Sequence, residues 1–159
     1  MTLRRILRIV PLLLAVLGCS DDGRSILAAS TLAGASYTLT SINGQPLPFT
    51  LWSEASGASA TMVSESVVFG AAGQVERRRV LRYTDAHGAV MTETMSFPQE
   101  FRRSGLRIEI GWFRPCPPNA NCIGNDLGTL TAATLRLTSN MYFVDGRPSE
   151  LRYEAAREP

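Results

Sequence analysis

The 159-residue chain contains no lysine; all sixteen basic residues are arginine. A GC-rich genome gives such a composition, although arginine also suits the bidentate grip of an anion. There is one histidine, His87, set between Asp85 and Gly88 in a turn-like stretch. A hydrolase triad would need it to meet a serine nucleophile, yet Gly-x-Ser-x-Gly does not occur. His87 is therefore expected to be a solvated turn residue. Acidic residues are scattered, mostly at outward strand positions, so none can be paired as acid and base. No apolar run reaches the roughly 20 residues that cross a bilayer as a helix, and no segment after Ala35 carries a sustained helical stripe. These absences leave no catalytic motif, no metal-ligand set and no cofactor signature.

What is present begins with a leader. Arg4, Arg5 and Arg8 form a basic start, Ile9 to Leu17 is apolar but for Pro11, and small Gly18 precedes Cys19. That is the order of a secretory signal. The run Val16-Leu17-Gly18-Cys19 resembles a bacterial lipobox, in which the cysteine is acylated and becomes the mature N-terminus. The polar Ser20-Asp21-Asp22-Gly23 after it fits the same pattern. An acylated Cys19 holds a protein stably on a membrane only with two or more chains, since each buried methylene contributes about 0.8 kcal/mol. No Asp directly follows Cys19; the sorting habit of Gram-negative lipoproteins then implies the outer membrane, facing the periplasm. Residues 1–18 are thus expected to be a signal peptide, 19–33 a tether and 34–157 a single domain. Loss of the leader leaves thirteen basic against fourteen acidic residues, net −1. A near-neutral domain has no electrostatic reason to seek nucleic acid.

From Tyr37 onward the period is two. Leu106, Ile108, Ile110 and Trp112 alternate with Arg107 and Glu109; Leu135 and Leu137 alternate with Thr134, Arg136 and Thr138; Leu151, Tyr153 and Ala155 alternate with Glu150, Arg152 and Glu154. One apolar and one wet face mark an antiparallel sheet. Turn signals at Gly70–Gly73, Asp85–Gly88, Arg103–Gly105 and Asp145–Pro148 separate the runs. Together with Ser36–Ile42, Leu127–Thr131 and Met141–Val144 they give eight or nine strands, and Gln99-Glu100-Phe101 either continues a strand beyond Pro98 or leaves it. The expected fold is all-β: an antiparallel up-and-down meander closing into a small barrel, complete or not, with a two-sheet β-sandwich as the alternative.

The segment Gly34-Ala35-Ser36-Tyr37 running into Ile42-Asn43-Gly44-Gln45-Pro46-Leu47-Pro48 resembles the opening of small lipocalin-like bacterial lipoproteins. Gly128 to Thr138 resembles their C-terminal paired hairpin. The resemblance implies a lipocalin-like barrel and supplies no catalytic residue. The chain departs from the group in Leu51–Thr61 and in the cysteine-bearing loop after Trp112. Gly34 and Tyr37 stand where true lipocalins carry Gly-x-Trp.

Two further features bear on function. Cys116 and Cys122 flank Pro117-Pro118-Asn119-Ala120-Asn121, and in an exported chain they are expected to form a structural disulfide. Arg77, Arg78, Arg79 and Arg82 form the densest charge. Alternation sends Arg77 and Arg79 to the face of Val75, Leu81 and Tyr83, and Arg78 and Arg82 to the other. Arg77 and Arg79 are expected outside, because a buried unpaired Arg is costly; inside, they could grip an anionic ligand. The chain is expected to be a non-enzymatic envelope lipoprotein that either binds a small apolar ligand or serves as an interaction surface, an enzyme with a polar cluster at the barrel mouth being the rival. A ligand carrier needs an interior cavity of about 300 Å³ or more; an interaction protein needs a filled barrel and an exposed apolar patch.

Overall fold

The computed structural model describes residues 32–115, 124–144 and 147–156. Cys19, the signal segment, nearly all of the tether and both Cys116 and Cys122 lie outside the described residues. Ten strands follow in chain order: β1 (Ser36–Ile42), β2 (Gln45–Pro46), β3 (Phe49–Ser53), β4 (Ser59–Phe69), β5 (Gln74–Thr84), β6 (Val90–Ser104), β7 (Arg107–Gly111), β8 (Asp126–Leu130), β9 (Thr134–Val144) and β10 (Arg147–Ala155). No α-helix occurs among them.

β4 to β10 run as an antiparallel meander, and β1 pairs with both β10 and β4. The sheet therefore closes into an eight-stranded, lipocalin-like barrel, with β2 and β3 outside the ring. The sandwich alternative is excluded by the pairing of Ser36, Tyr37 and Thr38 with Val68, Val67 and Ser66. Local chemistry makes the corners. Asn43 (φ 50°) and Gly44 (φ 78°) form the β1–β2 turn, the two left-handed positions that a tight hairpin of this twist demands. At the β5–β6 turn the Asp85 carboxylate accepts from the backbone N–H groups of His87 and Ala89, both at 2.8 Å. His87 is exposed there.

Inward positions alternate as the period required. Tyr37, Leu39, Met62, Val67, Phe69, Val75, Leu81, Phe101, Ile108, Ile110, Leu135, Leu137, Leu151 and Tyr153 are all buried. Phe69 meets Tyr37 and Phe101 edge to face, centroids 5.8 and 4.9 Å apart, the arrangement aromatic quadrupoles favour. This aromatic group sits where the chain enters, since Gly34 donates to the Phe69 carbonyl at 2.7 Å.

Two expectations need correction, and one left open is decided. Leu106 and Trp112 do not continue the inward row of Ile108 and Ile110; they are 61% and 54% exposed. β7 spans only Arg107–Gly111, so Leu106 belongs to the turn pivoting on Gly105 (φ 59°) and Trp112 follows the last paired residue. Thr134–Thr138 and Met141–Val144 are not separate strands but one, β9. It bulges against β10, where Ser149 pairs with Ser139 and the preceding Pro148 pairs with Phe143. Of the two alternatives at Pro98 the strand takes the longer one, since β6 runs on to Ser104. Pro98 is tolerated because β7 reaches back only to Glu100, so this part of β6 borders one neighbour instead of two.

Candidate functional site

The barrel interior is not wholly apolar. Arg77, from the middle of β5, is fully buried, and so is most of Arg79. The expectation of an exterior Arg77 and Arg79 is overturned, whereas Arg78 and Arg82 do face solvent. The physical reason is that neither guanidinium is unpaired. Arg77 Nη1 lies 2.6 Å from Asp126 Oδ2, and Arg77 Nε lies 3.3 Å from Glu65 Oε1. Arg79 Nη2 approaches Glu65 Oε2 at 3.1 Å, and its guanidinium stacks 4.4 Å above the Phe97 ring. Tyr153, from β10, donates to Glu65 Oε1 at 2.5 Å and accepts from Arg77 Nη2 at 3.3 Å. The second Asp126 oxygen accepts from the Asn140 backbone N–H at 3.2 Å.

Two cations and two carboxylates thus meet inside, with a phenol between them. Strand register puts them together: Glu65 stands opposite Arg79, and Arg77 opposite Val67 and Phe97. Asp126 comes from the first residue of β8, reached only through long-range closure of the barrel. Burial pushes the Tyr153 hydroxyl well above its ordinary value of 10; Arg77 opposes that rise and Glu65 adds to it. The phenol therefore keeps its proton at neutral pH. The cluster contains acids, bases and a hydroxyl, but each charged group is 5% exposed or less. It neutralises itself. Desolvation offsets much of the attraction in a buried ion pair of this kind.

The outer surface has two other features. A depression of about 420 Å³ lies on the outer wall over β1, β8, β9 and β10, lined by Ser41, Thr129, Arg136, Thr138, Glu150 and Arg152 among others. On the far side, β6 pairs with β5 along Val90–Glu100, but β7 joins it only from Glu100 to Ser104. Among the described residues, Val90–Gln99 has no partner on its second edge. Val90 and Met91 are 62% and 60% exposed, and Met95 and Phe97 are half-buried. Trp52 of β3 is exposed in the same transverse row, through Ala60, Tyr83 and Met91.

The sequence pointed to Arg77 and Arg79 as candidates and mistook their face; it did not single out Glu65, Asp126 or Tyr153. The available signal was inward parity. Glu65 shares that of Val67 and Phe69, and Tyr153 that of Leu151. Among the described residues, no group of three or more His, Cys, Asp or Glu could hold a metal ion, and no helix is long and apolar enough to cross a membrane. Comparison of the chain with protein-family models, with curated proteins and with solved structures gives no match.

Proposed function

We propose that this chain is a lipid-anchored envelope protein whose barrel acts as a rigid carrier for an interaction surface, the bare edge of β6. One observation carries the reading: inside, an aromatic group and an ionic cluster with matched charges are buried, while among the described residues Val90–Gln99 of β6 has no strand on its second edge and exposes Val90 and Met91. An exposed apolar stretch beside an open strand edge is the pattern expected of a surface that recruits a partner. Charges among the inward side chains suit a small apolar ligand poorly. They also argue against an enzyme using the polar cluster, whose charges are already matched and shielded.

The direction of the chain supports the arrangement. It enters the barrel beside Phe69, at the end holding the β4–β5 and β6–β7 turns. The β5–β6 turn at Asp85–Ala89 lies at the opposite end. With an acylated Cys19 a short tether away from Leu32, the open edge of β6 would project away from the membrane.

One comparison tests both halves. The wild-type chain should partition into detergent and Cys19→Ser should not. In the envelope, the β6 amides of Val90–Gln99 should exchange at least tenfold more slowly than in diluted, soluble Cys19→Ser. Equal partitioning removes the anchor, and equal exchange rates remove the interaction surface.

A further inference from the structure

Among the described residues, the second edge of β6 from Val90 to Gln99 is long, open and little defended. Its pairing with β5 runs from Val90 to Glu100 without a bulge. Exposed edges are normally blunted by bulges, Lys or Pro, because their free N–H and C=O groups accept any strand that fits. Here the stretch holds a single charge, Glu93, and one proline, Pro98, near its base. Such an edge invites a further strand, and its own sequence indicates which.

Resting on the interaction-surface reading above, we infer that the edge pairs with β6 of a second copy of this chain, antiparallel, about a two-fold axis through Thr94. In that register Thr94 faces Thr94 of the copy, Thr92 faces Ser96, Met91 faces Phe97 and Val90 faces Pro98. On the outer face Thr92, Thr94 and Ser96 meet hydroxyl to hydroxyl, and on the inner face Met91 meets Phe97, pairings that stabilise neighbouring strands. Glu93 faces Met95 and is kept away from its own copy. Moving the axis to Glu93 sets two carboxylates opposite each other. Moving it to Met95 sets Met91 against Gln99 and Glu93 against Phe97. With the axis at Thr94, hydroxyl meets hydroxyl, Met91 meets Phe97 and no two carboxylates stand directly opposite each other. Pro98 falls at the end of the paired stretch, where a missing N–H matters least. A two-fold contact of this kind uses one patch twice and closes, so it yields a dimer and no fibre.

The test is register-specific. Thr92, Thr94 and Ser96 are exposed, so cysteine at any of them leaves the core untouched. The full chain carrying Thr94→Cys, treated with oxidant in the envelope, should give a reducible dimer on a non-reducing gel. The parent chain, with its native cysteines, should not. Thr92→Cys alone should also stay monomeric, since two copies of that position lie about 13 Å apart along the strands, beyond the roughly 7 Å limit for a disulfide. Mixed with Ser96→Cys it should cross-link. A Thr94→Cys chain that remains monomeric, or a Thr92→Cys chain that cross-links as well, overturns the pairing. If the β6 amides are still slow in the envelope, a different strand occupies the edge and the interaction surface stands. If they are fast, both readings fall.

Discussion

Arg77→Met is expected to cost the domain about 3–5 kcal/mol, a large share of the 5–15 kcal/mol that keeps such domains folded. The loss comes less from the missing attraction than from what stays behind. Asp126 loses the cation that lies 2.6 Å away, and Glu65 keeps Arg79 and Tyr153 but loses Arg77 Nε. A carboxylate stranded in a closed barrel must be ionised without a partner or take up a proton. Removing Asp126 as well, in Arg77→Met with Asp126→Leu, should therefore restore much of what the single change loses. Urea unfolding midpoints decide it. A single variant within about 1 kcal/mol of wild type would show that the charges are not held as described. The same cluster sets an alkaline limit. The folded pKa of Tyr153 is raised above its unfolded value of 10, so its contribution is fully present below pH 10 and is lost as pH rises past that towards the folded value.

Gly128→Ala is expected to be nearly as damaging, although it adds one methyl group. A Cβ at Gly128 would lie 1.8 Å from the Arg136 carbonyl oxygen, 2.8 Å from the Arg136 carbonyl carbon and 3.0 Å from Leu137 Cα. All three are backbone atoms of β9, so no side chain can rotate out of the way. The β8–β9 pairing must open at Gly128↔Leu137. β8 has five residues and begins with Asp126, so its displacement also disturbs the partner of Arg77. Overpacking costs about 1–3 kcal/mol and sometimes more, and this contact belongs at the upper end. Thr129→Ala, exposed on the same strand, should stay within about 0.5 kcal/mol. If thermal unfolding cannot separate the two variants, β8 does not pass as close to β9 as described.

The strands and turns were legible because their signals are local. Alternation marked the inward rows through Leu135, Leu137, Leu151 and Tyr153, and Asn43-Gly44 or Asp85 announced corners within a few residues. Strand ends were less legible. Leu106 and Trp112 have the right parity to be inside, but parity cannot say where pairing stops, and β7 stops at Gly111. The candidate site was hidden for another reason. The parity of Arg77 and Arg79 was evident, yet their face turned on whether partners existed, and Asp126 and Tyr153 arrive through closure of strands far along the chain. A rule about unpaired charges misled because these charges are paired. The bare edge of β6 was illegible too, since it follows from how short β7 is.

Native mass spectrometry of the mature chain, extracted from the envelope in detergent, tests most directly whether the barrel keeps its interior for itself. The expected mass is that of the chain from Cys19 with its acyl groups, with no further small molecule, before and after unfolding. A stoichiometric apolar molecule that rides with the folded chain and is released when it unfolds would contradict the account, making the barrel a container after all.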